Sequence, residues 1–418
     1  MIMYTTLRNS YTKEPFADIF ARTVKRRGRD RIAAYFEDQV WTFGQLDDYS
    51  NKVANHLLRS GFRRGDKLSL LMHSSPAYVG IWLGAAKIGV ATGLLNFNLR
   101  NVSLSHCMDA VGGKGIVVGK QLKDAFLEID GEKRFPADKI WYVDEPASLP
   151  ESSDAMSTTS EANWNQGLAE VSAAAPPKLA RSKTGICGVG QMLVRGTTLA
   201  IRAKFSASKF WEDCIKYNCT VVQYIGELCR YLVAQPLKPT DKQHHVRLAF
   251  GNGLRKETWI EFQKRFNVPL IGELYGATES NSSIINCDGK LGAIGFIPQL
   301  IKGVYPIYLI KMDPVTELPL RDPETGLCIE CDADEPGQLI GRIDNFNPTR
   351  FYDGYVNKEA SDKKILRSVF KPGDAWFASD LKEANRDAVT CSRYELSHPL
   401  LDATFRFAFT GTIDFGDL

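Results

Sequence analysis

The string Tyr275-Gly276-Ala277-Thr278-Glu279 combines residue types that could together bind a nucleotide. An aromatic ring can lie on a purine, and a glycine lets the backbone approach a ligand closely. A threonine hydroxyl can reach a phosphate oxygen, and a glutamate can bind Mg²⁺, a hard cation that takes oxygen ligands. Because loops of tyrosine, glycine and threonine are common, the string alone leaves an ordinary turn as the alternative.

The neighbouring segments predict that this string lies at the edge of a parallel sheet. It follows the predicted strand Leu270–Ile271, and the glycine pair Gly251-Asn252-Gly253 follows the preceding predicted strand, Val246–Phe250. Open α/β sheets bind ligands at the carboxyl ends of their strands. Two successive loops of this kind suit a nucleotide that lies across adjacent strand ends.

The wider pattern predicts an α/β fold. Strands such as Ile32–Phe36 alternate with helices such as Ala77–Lys87 and Lys256–Phe266, which is typical of parallel βαβ units. Thr42 is expected to cap the helix that follows it. From about Gly303 the pattern changes to strands and turns, which indicates antiparallel sheet or a small barrel. We therefore predict doubly wound parallel sheets with a smaller β-rich, barrel-like subdomain.

Composition limits the class of protein. The 418 residues are 44% hydrophobic and 24% charged, which is ordinary for globular proteins and excludes disordered or collagen-like chains. The net charge of +3 is too small to indicate a nucleic-acid partner, and none is expected. Nine scattered cysteines indicate reduced thiols facing the cytosol rather than a disulfide scaffold.

The N-terminus shows no signal peptide, because its first twenty residues lack a continuous apolar run. The most apolar window, residues 68–98, is interrupted by His73, Pro76 and Lys87. Its uninterrupted apolar runs are shorter than a membrane-spanning helix requires. We interpret it as buried α/β core, with membrane contact as the alternative.

Long blocks around these motifs resemble the adenylate-forming enzymes and, within them, the fatty acid transport proteins, also called very long-chain acyl-CoA synthetases. The resemblance covers about residues 15–140 and 185–380. The blocks that carry it include LLNFNLRNVSLSHC, KFSASKFWEDCIKYNCTVVQYIGELCRYL, VRLAFGNGLR, ELYGATE, VYPIYLIK, EPGQLIGRI and RFYDGYVN.

The resemblance implies an ATP-dependent fatty acyl-CoA ligase with linked fatty acid uptake. A long-chain or very long-chain fatty acid would be activated as an acyl-adenylate with loss of pyrophosphate, and the thiol of coenzyme A would then take the acyl group. The resemblance also assigns the site residues: Gly251 and Gly253 border the adenine pocket, Tyr275 and Gly276 lie against adenine, Thr278 lies near the phosphates, Glu279 binds Mg²⁺, and Asp380 accepts the ribose hydroxyls. Thr278 and Glu279 are the predicted catalytic residues.

The sequence departs from the family at three places. The Ser/Thr/Gly-rich phosphate loop ending in Pro-Lys is not found, because its nearest counterpart, Gly196-Thr197-Thr198, runs directly into a strand. No family match follows Asp380, where the small C-terminal domain with its catalytic lysine is expected, and Ala378-Ser379 precede Asp380 where the family has glycine. The hydrophobic N-terminal anchor is also not found. The alternative is therefore an inactive truncated isoform or gene-model fragment that binds only lipid or a partner.

Five segments follow from the resemblance and the composition. They are residues 1–146, the first α/β part of the adenylate-forming domain; 147–186, a Ser/Ala/Pro-rich junction; 187–300, the second α/β part with the nucleotide motif; 301–380, the β-rich subdomain; and 381–418, an unmatched tail. The junction is interpreted as a surface linker, or as a place where family sequence is missing.

The resemblance implies peripheral membrane association on the cytosolic face of the endoplasmic reticulum or plasma membrane, with the peroxisome and a homo-oligomer left open. The basic residues Lys25, Arg26 and Arg27, together with Arg29 and Arg31, form either a solvated helix end or a contact for anionic lipid.

Two other sets of residues are assigned no chemistry. Cys328 and Cys331 have the spacing of half a zinc site, but no second pair accompanies them. The pair His244-His245 is expected on a solvated loop, and His73 and His106 lack a nucleophile pattern nearby.

Overall fold

A computed structural model describes residues 16–144, 164, 168, 187–276, 280–286, 288–297, 306–332, 335–344, 350–352, 354, 358–379 and 389–390. These residues divide into two compact units, one within Lys13–Ser206 and the other within Ala207–Leu418. Each unit is described by itself below.

Helices and strands alternate through most of the chain. The helices are α1 (Phe16–Arg27), α2 (Phe43–Arg59), α3 (Pro76–Lys87), α4 (Asn101–Val111), α5 (Lys123–Leu127), α6 (Cys187–Arg195), α7 (Phe210–Lys216), α8 (Gly226–Val233), α9 (Lys256–Phe266) and α10 (Lys358–Lys363). Short 3₁₀ turns cover Lys120–Leu122, Gly131–Arg134, Ala137–Lys139 and Pro239–Lys242.

The strands of the described residues form five sheets. They are β1 (Ile32–Phe36), β2 (Gln39–Thr42), β3 (Lys67–Leu71), β4 (Ala91–Leu94), β5 (Gly115–Gly119), β6 (Ile140–Val143), β7 (Leu199–Ile201), β8 (Val221–Ile225), β9 (Leu248–Asn252), β10 (Leu270–Tyr275), β11 (Ile284–Ile285), β12 (Gly295–Phe296), β13 (Ile307–Ile310), β14 (Gln338–Arg342), β15 (Ile365–Arg367), β16 (Ala375–Ala378) and β17 (Val389–Thr390). A two-stranded parallel pair joins β12 and β17.

The first unit contains a parallel sheet in the order β4-β3-β5-β6 with helices on both faces. Leu68 and Val117 point to one face, where they join a core that includes residues of α1, α2 and α3. Ile116 and Val118 point to the other face and join a core that includes residues of α4 and α5. The doubly wound arrangement predicted from the sequence is confirmed for this sheet. A smaller sheet, β2-β1-β7, pairs β1 with β7 in parallel.

Local sequence explains how α2 and α3 begin and pack. Thr42 caps α2, as predicted, through a capping box: its hydroxyl accepts from the Gln45 amide while the Gln45 side chain accepts from the Thr42 amide. Ser75 caps α3, and Pro76 occupies its first turn. Both helices bury most of their residues, so they form the centre of this unit rather than a surface.

Lys87, the charge that interrupts the apolar window, is only 5% exposed at the end of α3. Its ammonium group donates to three side-chain oxygens of α2: Oδ1 of Asp47 at 2.7 Å, Oγ of Ser50 at 2.7 Å and Oδ1 of Asn51 at 2.6 Å. A buried charge is tolerated when it is paired and hydrogen-bonded in this way. The interpretation of residues 68–98 as buried core is supported, because most of this window's apolar side chains are buried.

The second unit contains a sheet in the order β11-β10-β9-β8, in which β8, β9 and β10 are parallel and β11 is antiparallel. Its core combines strand residues such as Ala249 and Ile271 with Trp211 of α7, Cys229 of α8 and Trp259 of α9. The helix predicted over residues 256–266 is confirmed with the same bounds.

Arg265 joins the helices of this unit to the chain that follows α8. Its guanidinium group lies 2.9 Å from Oδ2 of Asp241, and both side chains are about nine-tenths buried. It also donates to the carbonyl oxygens of Val233, Gln235 and Pro236 at 2.6–2.8 Å. One planar group therefore satisfies four acceptors.

The antiparallel strands expected after Gly303 are present as a sheet in the order β13-β14-β16-β15. Trp376 of β16 packs edge-on to Tyr308 of β13, with ring centroids 5.3 Å apart. Overall, the structure is a mixed α/β fold with parallel sheets and a smaller β-rich part, as the sequence predicts.

Candidate functional site

The candidate site lies at the carboxyl ends of β8, β9 and β10. The strands are in parallel register there, so that Tyr224 of β8, Gly251 of β9 and Glu273 of β10 form one row across the sheet. Two residues further along, β9 is followed by Gly253 and β10 ends at Tyr275. The two motifs chosen from the sequence, around Gly251 and Tyr275, therefore reach the same edge of one sheet.

β10 is longer than predicted, whereas β9 has the predicted length but lies two residues further along the chain, at Leu248–Asn252 instead of Val246–Phe250. The sequence places Gly251 and Tyr275 in loops, but β9 continues to Asn252 and β10 continues to Tyr275. Tyr275 pairs with Ile284 of the antiparallel strand β11, which extends β10 beyond its last pairing with β9. The two residues are thus held by sheet hydrogen bonding, and the turns begin only at Gly253 and Gly276.

Gly251 and Gly253 are glycines for steric and conformational reasons. A Cβ atom at Gly251 would lie 2.1 Å from the carbonyl oxygen of Tyr224 and 2.7 Å from its ring atom Cδ2. Gly253 has φ of +77°, a left-handed conformation that side chains disfavour. The backbone of β9 is therefore closely packed at Gly251 and turns sharply at Gly253.

Glu273 was not predicted as a site residue from the sequence. It is a buried ionisable residue at this edge of the sheet. Its side chain is 2% exposed. Oε1 accepts a hydrogen bond of 3.0 Å from the amide of Leu254, and Oε2 accepts one from the hydroxyl of Tyr224. The signal in the sequence was a charged residue inside an otherwise apolar strand, two positions before Tyr275.

Burial raises the pKa of Glu273, while hydrogen bonds from Tyr224, Leu254 and Gly253 oppose the rise. Burial and the nearby Glu273 carboxyl group together raise the pKa of Tyr224 far above its usual range. They also raise the pKa of Cys229 in α8 to about 12. The interior of the site is therefore poorly hydrated and favours neutral groups.

Gly276 is exposed, and within the described part of the chain a Cβ atom there would meet only Ser283 Cβ, at 3.7 Å, an ordinary contact. Thr278 and Glu279 lie outside the described residues. Just beyond them, Nδ2 of Asn281 donates to the carbonyl oxygens of Arg342 and Arg350, and Nη1 of Arg350 returns a bond to the Asn281 carbonyl at 3.1 Å. The chain is fixed on both sides of the Thr278–Glu279 segment, by β10 before it and by this contact after it.

Asp380, the predicted ribose ligand, also lies outside the described residues. Its neighbour Ser379 is 1% exposed, and the Ser379 carbonyl accepts a bond of 3.0 Å from Nε2 of Gln338. Its amide donates to the Leu339 carbonyl at 3.0 Å. The residue before Asp380 is thus held by β14.

The described residues contain no group of three or more His, Cys, Asp or Glu side chains that could hold a metal ion. Glu279, the predicted Mg²⁺ ligand, is not among those residues. Cys328 is buried and Cys331 half-buried.

Two further sequence interpretations can be compared with the structure. His244 is half-buried and stacks on Trp211 with ring centroids 4.1 Å apart, so its expected place on a solvated loop is wrong, whereas His245 is exposed. In the basic cluster, Arg26 and Arg27 donate to carbonyl oxygens at the end of α6, including that of Arg195. These contacts give the cluster a structural role within its unit.

The part of the sequence that forms this edge matches a known protein family. The AMP-binding enzyme family matches residues 20–184 and 183–345, which include the whole described sheet edge around Gly251 and Tyr275. The chain belongs to the AMP-binding enzyme family.

Within that family the chain is similar to the long-chain fatty acid transport proteins. It is 40% identical to long-chain fatty acid transport protein 1 of Bos taurus over 89% of this chain and 65% of that protein, and 35% identical to long-chain fatty acid transport protein 2 of Rattus norvegicus over 89% and 67%. It is 30% identical to a medium/long-chain fatty acid–CoA ligase of Mycobacterium tuberculosis over 88% and 66%. The chain thus spans 65% to 67% of the length of these relatives, which is just under two thirds for the bovine protein.

Solved structures show the same fold. An acyl-CoA synthetase of Brucella canis superposes with a TM-score of 0.67 at 17% identity, covering 87% of this chain and 74% of that one. No helix among the described residues combines the length and the apolar character that crossing a bilayer requires.

Proposed function

We propose that this chain carries the nucleotide-binding part of an ATP-dependent long-chain or very long-chain fatty acyl-CoA ligase. The observation that carries the proposal is the edge formed by β8, β9 and β10, where Gly253 and Gly276 open two adjacent turns directly beyond the strands. Parallel sheets bind nucleotides at such edges. Membership of the AMP-binding enzyme family supports AMP as the nucleotide product.

The described residues would bind the adenine end of the nucleotide. Gly251 and Gly253 would border adenine with backbone atoms. Gly253 carries no side chain, and at Gly251 the place of a side chain is taken by Tyr224. The Tyr275 ring, which is half-buried against Ile284, would lie against the base next to Gly276. Since Tyr275 is fixed by sheet pairing, its ring needs little ordering when the base binds.

Thr278, Glu279 and Asp380 complete the proposed site. Thr278 would donate to a phosphate oxygen, and Asp380 would accept from the ribose hydroxyls. The Glu279 carboxylate, three residues beyond Gly276, has the donor chemistry that Mg²⁺ prefers and would hold the ion that accompanies ATP. Bound Mg²⁺ would neutralise charge on the phosphates.

The proposed reaction has two steps. A carboxylate oxygen of the fatty acid forms a bond to the α-phosphorus of ATP while the bond to pyrophosphate breaks. The thiolate of coenzyme A then attacks the acyl carbon, and AMP leaves. The names of the relatives support a fatty acid and coenzyme A as substrates, since one is a fatty acid–CoA ligase and others are fatty acid transport proteins.

Linked fatty acid uptake is part of the proposal. Peripheral association with the cytosolic face of the endoplasmic reticulum or plasma membrane would place the site near its apolar substrate. The support is the similarity to proteins named long-chain fatty acid transport proteins. Co-sedimentation with liposomes would test the membrane association. Analytical ultracentrifugation would test the homo-oligomer that the resemblance leaves open.

The decisive experiment uses the complete gene product with oleate, ATP and coenzyme A. Oleoyl-CoA should form, and Glu279→Ala should lower the rate by about a hundredfold or more, since charge stabilisation at the phosphates dominates such reactions. Glu257→Ala, an exposed position on α9, is the matched control and should keep the full rate. No product above background would reject the ligase assignment.

A second candidate is a non-catalytic protein that binds only lipid or a partner. One observation favours it: the family match is divided into two ranges that meet at residues 183–184, within the junction at 147–186. No phosphate loop is recognisable in the sequence. ATP–pyrophosphate exchange by the 418-residue chain separates the two. Near-zero exchange would support the second candidate for this chain, and robust exchange would reject it.

A further inference from the structure

The row Tyr224–Gly251–Glu273 joins the outer strands of the site across its middle strand. Gly251 pairs in register with Tyr224 on one side and with Glu273 on the other. The hydroxyl of Tyr224 nevertheless donates directly to Oε2 of Glu273, so the tyrosine side chain passes over Gly251 to reach β10. A side chain at Gly251 would collide with it, since a Cβ there lies 2.7 Å from the Tyr224 ring.

The second carboxylate oxygen of Glu273 holds the turn after β9. Oε1 accepts from the amide of Leu254 at 3.0 Å, and the amide of Gly253 also bonds to this carboxyl group. These are the residues at which the chain leaves β9 with a positive φ and enters α9. Among the described residues Glu273 has no ion-pair partner, so these donors alone compensate its burial.

We propose that Glu273 is a positioning residue, which fixes the Gly253–Leu254 turn to β10 and, through Tyr224, to β8, and thereby sets the shape of the surface that receives the adenine. The inference rests on the proposed function, because the role of the turn is to border the nucleotide. Glu273 itself is buried beneath the edge and does not touch the ligand.

The role requires acceptors for the turn amides and a partner for the tyrosine hydroxyl. Glutamine in place of Glu273 supplies both, since its carbonyl oxygen accepts from the amides and its NH₂ group donates to the Tyr224 oxygen. Leucine fills a similar volume but leaves the amide of Leu254 and the hydroxyl of Tyr224 without a partner, which is costly when they are buried.

The test compares Glu273→Gln, Glu273→Leu and Tyr224→Phe with Glu261→Leu, an exposed control on α9. The readouts are hydrogen–deuterium exchange of the segment 251–255 and the dissociation constant for AMP, both measured on the 418-residue chain. In Glu273→Leu, exchange of the Gly253 and Leu254 amides should be at least about tenfold faster, and AMP affinity should fall by a similar factor. Glu273→Gln should keep the wild-type exchange rate and the wild-type AMP affinity. For both quantities, Tyr224→Phe should lie between the wild type and Glu273→Leu.

The outcomes separate the two claims. Unchanged exchange in Glu273→Leu, or in Tyr224→Phe if the leucine variant does not fold, would overturn the positioning role. Equal loss of exchange protection throughout the second unit would also overturn it, because the effect would then be one of general stability. A wild-type chain that does not bind AMP would count against the proposed function alone, while the exchange data still decide the role of Glu273.

Discussion

The first residue of α8, Gly226, lies directly against the carbonyl group of Gly253. A Cβ atom at Gly226 would stand 1.8 Å from the Gly253 oxygen and 2.3 Å from its carbon. No flexible side chain is involved, so the backbone would have to move to make room. The beginning of α8 and the turn after β9 can therefore approach this closely only with glycine at position 226.

Replacement of Gly226 by alanine should thus be strongly destabilising. We expect the free energy of unfolding to fall by about 3 kcal/mol, as in overpacked cores, and the turn at Gly253 to shift. Urea unfolding measures the loss. Gly190→Ala in α6 is the control, because among the described residues nothing lies within 4 Å of a Cβ there, and it should leave the midpoint unchanged or slightly raised. Equal midpoints for both variants would contradict the packing described here.

Gly276 offers the opposite case. Among the described residues, alanine at this exposed position meets only Ser283 Cβ, at 3.7 Å, so the melting temperature should stay at the wild-type value. AMP affinity should nevertheless fall by about tenfold, because the added methyl group would occupy space that the base or ribose needs. Isothermal titration calorimetry measures the affinity. Wild-type affinity in this variant would show that the nucleotide does not approach the turn at Gly276.

The raised pKa of Glu273 predicts a pH dependence of stability. Since burial raises the pKa in the folded state, the protonated form favours folding, and its stabilising contribution declines as pH rises from about 4.3 through the folded-state pKa. The groups that face Glu273 are the Tyr224 hydroxyl of β8 and the Cys229 thiol of α8, and both stay neutral over this range because their pKa values are raised.

Glu273→Gln removes this titration. Between about pH 4 and about pH 8, the free energy of unfolding of this variant should change less than that of the wild type. This range includes the pH values over which Glu273 is expected to lose its proton. Chemical unfolding at several pH values measures the difference. Parallel curves for the two proteins would mean that Glu273 titrates alike in the folded and unfolded states.

Arg265→Met tests the buried pair with Asp241. The substitution leaves the Asp241 carboxylate buried without its cation and three carbonyl groups without a donor, so the second unit should lose about 3–5 kcal/mol. Arg230→Met removes an exposed pair with Glu227 on α8 and should have no measurable effect. A small loss at Arg265 would indicate that water replaces the guanidinium group.

Local signals in the sequence account for much of the fold. The cap at Thr42 and the helix over residues 256–266 were predicted, because caps and short helices depend on neighbours within a few positions. The end of β10 could not be predicted in this way. Its last residues include Glu273, a charge that breaks the apolar run, and they are strand only because β9 and β11 supply partners from elsewhere in the chain.

The site shows the same limit. Gly251, Gly253, Tyr275 and Gly276 were selected by residue type, and the structure brings them to one sheet edge. Glu273 and Tyr224 were missed because their contact joins strands 49 positions apart in the sequence. No local pattern records such a pairing, and only the register of three strands makes it visible.

The enclosed ammonium group of Lys87 makes it a natural reporter for the first unit. An amine-acylating reagent requires a free, accessible lone pair, which this nitrogen lacks while it is bonded to Asp47, Ser50 and Asn51. The rate at which Lys87 is labelled should therefore measure how often α3 separates from α2. The exposed Lys133 should react at the unhindered rate and serves as the internal control.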